Sequence, residues 1–317
     1  MRILFWGTPD FAVPPLEALL GEGFDVVGVV TQPDRPVGRT RVLTPPPVKI
    51  VALREALPVL QPERPRGDAF LAELTALGPD INVVVAYGHI LATAVIEQPP
   101  LGTINIHASL LPELRGAAPI ETAIRRGFTT TGVTIMRMVL AMDAGPILHT
   151  ARVDILPDET GGELRNRLSE LGAQSLVEAL ALLELQQLPE AEQDASRVSF
   201  APKIERADAR IEWRAPASDV VNLIRAYDPK PGAFTTRDGV DVKLFGVRAV
   251  APHGSGDAPG TVLHVDDDGM LVACGEGIVR IAEVHPSGKR RQLAREWFAG
   301  RGVAIHDVLG DGPAAAG

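Results

Sequence analysis

Along the first 150 positions, short apolar runs rich in β-branched residues alternate with stretches whose apolar residues fall three and four apart. Positions 2–6, 24–30, 80–87, 103–107 and 132–138 read as strands, several of them nearly continuous in apolar residues, as strands buried on both faces are. Positions 13–20, 47–56, 68–77 and 117–126 read as helices between them. Strands alternating with helices at this spacing predict a doubly wound, mostly parallel α/β sheet. From 161 to 188, leucines at 164, 168, 171, 176, 180 and 183 make the buried stripe of one long helix that closes the domain. Periodicity is then lost over the polar stretch 186–208. That stretch reads as a linker, giving domains at 1–188 and 207–317 with 189–206 between them. Beyond it, a short helix at 219–227 and strands at 240–250, 260–265, 270–273 and 278–284, broken by Gly, Asp and Pro, predict a small β-barrel. The Ala- and Gly-rich tail after Leu309 is expected to be disordered.

Composition narrows the function classes. The chain of 317 residues is long enough for two domains with their own cores, and 45% hydrophobic and 22% charged residues are ordinary usage. The single cysteine, Cys274, has no partner for an internal disulfide. No apolar run approaches the roughly 20 residues of a membrane helix and no leader is visible, so a cytoplasmic protein without membrane association is expected. A net charge of −9 argues against nucleic-acid binding driven by bulk electrostatics. A polyanionic partner would have to be met by clustered arginines. The most basic spot of the first half is the stretch 31–41, which carries Arg35, Arg39 and Arg41. It is rich in proline and without periodicity, hence a loop, either a solvated surface loop or an arm that contacts phosphate. No G-x-G-x-x-G follows the first strand, so a dinucleotide site is not supported.

The chemistry concentrates in 103–112. Strand alternation puts Ile104 and Ile106 on one face and Asn105 and His107 side by side on the other. Two polar side chains at the C-terminal end of a sheet strand need partners or a ligand, and that end is where α/β proteins bind ligands. An amide that donates to a developing oxyanion, an imidazole and a nearby carboxylate suit transfer of an acyl group to an amine without a serine or cysteine nucleophile. On spacing alone, Asn-x-His is equally a satisfied hydrogen-bond bridge, and Asp143, the one carboxylate of the loop 139–146, equally a turn or cap residue. Gly88, in the stretch after the 80–87 strand, marks a turn where backbone approaches a ligand, or a plain helix start.

The strings INIHASLLPELRGAAPIETAI, MRILFWGTPDFAVPPLEALL, TQPDRPVGR, VVVAYGHIL, TGVTIM, APKI and PGAFTT resemble, in order and spacing and over almost the whole chain, the methionyl-tRNA formyltransferases. The resemblance implies a Rossmann-like formyltransferase domain followed by an OB-like domain that holds tRNA. It implies 10-formyltetrahydrofolate as formyl donor, initiator Met-tRNA as acceptor, no metal, and no obligate protein partner. Asn105, His107 and Asp143 match the family's catalytic trio. Ser109, Leu110, Leu111 and Pro112 match a stretch associated with the folate, and Tyr87, Gly88, Ile90 and Leu91 match the lining of its pterin pocket. The loop with Arg35, Arg39 and Arg41 matches one that reaches the tRNA acceptor stem. A basic face at Lys289, Arg290, Arg291 and Arg295 would serve the tRNA-holding domain. The sequence departs from the family pattern at Thr40, Val42, Glu113, 139–142 and Lys230, none of them in the trio. The competing expectations are a formyltransferase for a small-molecule amine, a formyl-folate hydrolase, and a tRNA-binding protein without catalysis.

Overall fold

The computed structural model describes residues 1–38, 41–251 and 256–310, so Arg39, Thr40 and the tail from 311 lie outside the described residues. The chain divides into two compact units, the first made of Met1–Pro119, Thr130–Asp154 and Arg165–Pro202. Its elements are β1 (Arg2–Gly7), α1 (Val13–Gly21), β2 (Asp25–Val30), β3 (Arg35–Val37), β4 (Val42–Thr44), α2 (Pro47–Arg54), β5 (Val59–Leu60), α3 (Asp68–Leu77), β6 (Ile81–Val85), α4 (Thr93–Ile96) and β7 (Thr103–His107). There follow α5 (Pro119–Arg125), β8 (Thr130–Arg137), β9 (Ile147–Asp154) and α6 (Gly161–Glu184), with α5 beyond Pro119 and the start of α6 up to Leu164 belonging to the second unit.

Seven strands form the main sheet in the order β5-β2-β1-β6-β7-β8-β9. The first five are parallel to one another, and β8 and β9 are added by antiparallel pairings, which makes this the mostly parallel α/β sheet expected. β7 stands at the change of direction: Asn105 lies opposite Val84 of the parallel β6 and Met136 of the antiparallel β8. In open α/β sheets ligands bind outside the C-terminal ends of the parallel strands, the end at which Asn105 and His107 stand. A buried polar network fixes β7 in place. The Trp6 indole donates to Asn82 Oδ1 at 3.0 Å, the Asn82 amide donates to Thr103 Oγ1 at 3.1 Å, and the Thr103 hydroxyl donates to the Ile96 carbonyl at 2.7 Å. Fully satisfied, these groups tie β1, β6, β7 and α4 together without a desolvation penalty left over. Around them pack Leu4, Phe70, Leu74 and Leu91, and Trp6 meets Phe70 and Tyr87 edge to face.

Several elements escape the hydrophobic pattern. The stretch 31–41, read as a loop, contributes β3, which pairs with β4 as a hairpin. All six residues of the two strands are exposed, so there is no buried face to produce an alternation. β9 leaves no clear pattern either; it is an edge strand only partly covered. β5 and α4 are too short to carry a period. The segment 189–206 is not free of either unit: its part up to Pro202 is bonded to the first, with Ala191 pairing Ile147 and Phe200 pairing Arg115, and Lys203 opens the second.

The second unit comprises Ile120–Thr129, Ile155–Leu164 and everything from Lys203. It contains α7 (Ala217–Ala226), β10 (Phe234–Arg237), β11 (Val240–Ala251), β12 (Val262–Asp266), β13 (Gly269–Ala273), β14 (Ile278–Pro286), β15 (Gln292–Leu293) and α8 (Ala294–Ala299). These strands form an antiparallel sheet in the order β10-β11-β14-β13-β12, with β15 on β14. The two early segments are held to it by charged and phenolic groups. The buried Arg225 donates to the carbonyls of Leu156 and Pro157, and Arg125 donates to the Tyr227 hydroxyl at 3.2 Å. No helix among the described residues is long and apolar enough to cross a membrane.

Candidate active site

At the C-terminal end of β6 and β7 the first unit encloses a cavity of about 360 Å³. The stretch from Tyr87 to Leu91 forms one wall, Asn105 and Met136 the floor, Gly116 and Ala117 another side, and Val139, Leu140, Met142 and Asp143 the loop across it. Its size and apolar walls suit a small organic ligand.

Asn105 is half-buried and lines the cavity, and its amide has no hydrogen-bond partner among the described residues. It is therefore free to bond a ligand. His107, two residues on and facing the same side, is buried, and its Nε2 lies 2.9 Å from the Leu114 carbonyl. A carbonyl only accepts, so Nε2 carries a proton and donates, and Nδ1 is the ring position left open. Nδ1 faces the Asp143 carboxylate across 3.6 Å, longer than a hydrogen bond. The same carboxylate oxygen, Oδ2, accepts the Gly116 backbone N–H at 2.8 Å. Asn105 and Asp143 line the cavity, and the buried His107 stands behind that lining, facing Asp143.

The backbone around them is bent to do this. Ala86, Leu114 and Asp143, none of them glycine, have φ of 47°, 60° and 51°, a left-handed conformation that costs non-glycine residues energy and clusters at functional sites. At Gly116 the geometry excludes any other residue: φ is 119°, and a Cβ would stand 2.6 Å from the Ala201 carbonyl oxygen. The Leu114 carbonyl and the Gly116 amide leave no trace in the sequence pattern. Backbone groups carry no side-chain signal, and the glycine itself is the one mark they leave.

Of the residues matched to the folate, Tyr87, Gly88, Ile90 and Leu91 line the cavity. Ser109, Leu110, Leu111 and Pro112 do not line it. Ser109 donates to the Glu113 carbonyl at 2.6 Å, its own carbonyl accepts the Thr134 hydroxyl, and that hydroxyl accepts the Leu111 N–H. This turn, with a cis Leu111–Pro112 bond, carries the chain from His107 to Leu114. Glu113 pairs with Arg197 at 2.9 Å. Burial pushes the Tyr87 phenol up to about 12, and its oxygen has no partner among the described residues.

The basic residues are spread. Arg35 on β3 is exposed and stands 3.7 Å from Glu63; Arg41, also exposed, lies in the hairpin turn with φ 50°; Arg39 is outside the described residues. The hairpin is anchored at its base. Asp34 accepts from Gln61 and, through both oxygens, from Lys49, each at 2.8 Å. These bonds, Gln61 first, hold the Asp34 carboxyl below its ordinary range. In the second unit the expected basic face is largely neutralised. Arg291 stacks 4.0 Å over Phe245 and pairs with Glu283 and Asp228, Arg290 lies 3.8 Å from Glu296, and Arg295 pairs with Asp267. Among the described residues, Lys289 alone of the four has no acidic partner.

The fold and this site define a formyl transferase: residues 1–180 match the Formyl transferase family and 203–302 the Formyl transferase, C-terminal domain family. The N-formyltransferase of Helicobacter canadensis, solved with folinic acid and dTDP-3-aminofucose, shares the fold with a TM-score of 0.68 at 17% identity, over 90% of this chain and 100% of that one. The methionyl-tRNA formyltransferase of Symbiobacterium thermophilum is 47% identical over 306 residues, 96% of this chain and 94% of that protein. That of Bacillus subtilis is 43% identical over 310 residues, 98% of each. The chain belongs to the methionyl-tRNA formyltransferase family.

Proposed function

We propose that this chain, working in the cytoplasm, transfers the formyl group of 10-formyltetrahydrofolate to the α-amino group of methionine esterified to initiator tRNA. The observation that carries the reading is the open Asn105 amide in the same cavity lining as Asp143, which faces the buried His107, in a chain of this family. The apolar wall from Tyr87 to Leu91 and the floor at Met136 would hold the folate ring system, which supplies the formyl carbon. As the amine nitrogen bonds to that carbon, its oxygen gains negative charge, and the Asn105 side-chain N–H donates to it. The bond from carbon to the folate nitrogen then breaks, and that nitrogen takes up a proton equivalent to the one the amine gives up. The amine loses its proton to the His107 and Asp143 pair, where Nδ1 is the open acceptor on the ring and the carboxylate beside it offsets the imidazolium charge. The 3.6 Å gap is longer than a hydrogen bond and too short to hold a water between the two atoms, so the exchange requires the carboxylate and the ring to close by a few tenths of an ångström. The β3–β4 hairpin with its arginines and the second unit, with Lys289 exposed, are assigned to the tRNA, which the overall charge of −9 would otherwise repel.

The test is formyl transfer from 10-formyltetrahydrofolate to methionyl initiator tRNA, beside methionyl elongator tRNA and a control without tRNA, at two salt concentrations. Rapid transfer to the initiator, slower at high salt, is expected. Transfer to both tRNAs would keep the chemistry and remove the initiator specificity. Consumption of the formyl donor with no transfer would overturn the reading in favour of hydrolysis.

A further inference from the structure

Asp143 lies in an irregular loop between β8 and β9, in a left-handed backbone conformation. Its carboxylate can hold station beside His107 only if that loop backbone is held. One side chain does so from a distance in sequence. The Gln193 amide nitrogen donates one N–H to the Asp143 carbonyl and the other to the Gly145 carbonyl, both at 2.8 Å. Its oxygen accepts from Nε and Nη2 of Arg115, at 3.1 and 2.7 Å. Which end of the amide is which follows from the partners, because carbonyls only accept and a guanidinium only donates. Gln193 therefore uses its whole donor capacity on the Asp143 loop and its acceptor on Arg115.

Arg115 is itself fixed. Its N–H donates to the Ser199 carbonyl at 2.9 Å and its carbonyl accepts the Ala201 N–H at 2.8 Å. Its neighbours on either side touch both reacting groups: the Leu114 carbonyl takes the His107 Nε2 proton, and the Gly116 N–H donates to the Asp143 carboxylate. Residues 114–116 thus form a common support, to which Gln193 ties the main chain of the aspartate loop. Gln193 sits in the polar stretch after α6, where nothing in the sequence pattern distinguishes it.

We infer that Gln193 is a positioning residue for the reaction, setting the distance between Asp143 and His107 by clamping the Asp143 loop to Arg115. It rests on the reading above of that pair as the group that takes the amine proton. An error of about 1 Å in such a placement costs on the order of 10²-fold in rate.

The experiment uses the full chain with Gln193→Met, which keeps length and removes every hydrogen bond, and Gln193→Glu, which keeps the acceptor for Arg115 and loses both donors to the loop. Each is made alone and in an Asp143→Asn background. Both single variants should lower kcat by roughly 10- to 100-fold, with KM for formyl donor and for tRNA held within about twofold. Added to Asp143→Asn, they should cost no more than about twofold, because residues acting through one group are not additive. Gln193→Glu with wild-type kcat would assign Gln193 to Arg115 alone and overturn the proposal, as would losses that multiply with Asp143→Asn. A second measurement needs no turnover. The ¹⁵N resonance of His107 Nδ1 should move in both Gln193 variants in the direction in which Asp143→Asn moves it, and an unmoved resonance overturns the proposal. Failure of the wild-type protein to formylate any Met-tRNA would instead strike the functional reading, with the ring resonance still deciding the role of Gln193.

Discussion

Asn105 and His107 sit on the same side of β7, and their uses differ because their surroundings differ. The amide of Asn105 is uncommitted and faces the cavity, while one ring nitrogen of His107 is already bound to the Leu114 carbonyl. Asn105 is therefore the side chain available to touch the oxygen that gains charge. Replacing it by alanine should lower kcat by about 10²–10³-fold, the usual cost of one such donor. Because the amide bonds nothing else in the described structure, the melting temperature should stay close to wild type. Steady-state formylation kinetics beside thermal unfolding check both, and a near wild-type kcat in the folded variant would remove Asn105 from the mechanism. Strand alternation is enough to make this pair legible in the sequence. It does not reveal which His107 nitrogen is open, since that depends on a backbone carbonyl seven residues on.

At the level of elements, the β3–β4 hairpin is exposed on every residue of its two strands and owes its position to its base rather than to packing. That base is Asp34, held by Gln61 and Lys49. Asp34→Asn should loosen the hairpin. Trypsin should cleave at its arginines several-fold faster at neutral pH, and KM for tRNA should rise while KM for the formyl donor does not. The pH dependence has a definite sign. A carboxyl whose folded value is depressed contributes stability above its ordinary value and loses it as pH falls through the folded value, so the anchor is in force at neutral pH and released in acid. Protection of the hairpin amides, followed by hydrogen exchange as the pH is lowered, would check it. An unchanged cleavage rate in Asp34→Asn would show the hairpin to be held by other means. Elements of this kind are illegible in the sequence for a physical reason: hydrophobic periodicity records burial, and β3, β4 and most of β9 have little to record.

The whole molecule buries both of its tyrosines, one in each unit. Burial pushes Tyr87 up to about 12, and it raises Tyr227 as well, against the opposing effect of Arg125. In the unfolded chain both would ionise near 10. Between about 10 and about 12 the unfolded state binds fewer protons, so stability is fully present below that window and falls as pH climbs through it. Phenolate absorbance near 295 nm should stay low in the native protein at about pH 10 and rise with unfolding. A tyrosine that titrates normally in the folded protein would contradict the burial of its ring.

Much of this protein follows from the order of its residues. The alternation of apolar runs and helical stripes specifies a doubly wound sheet because burial on both faces leaves that record in sequence, and strand period places Asn105 beside His107. The acidic balance and the arginines of the hairpin are likewise properties of composition. What the sequence could not contain is the meeting of groups far apart in the chain. Asp143 is a loop aspartate like any other until the Gly116 amide and the Gln193 clamp bring it within 3.6 Å of His107. The polar stretch that reads as a linker becomes part of the site because its backbone and amide groups find partners at Arg115 and Ile147. Hydrogen bonds between distant segments depend on distances that only the folded chain defines, and at this site they decide which nitrogen, which carboxylate oxygen and which amide are free to react.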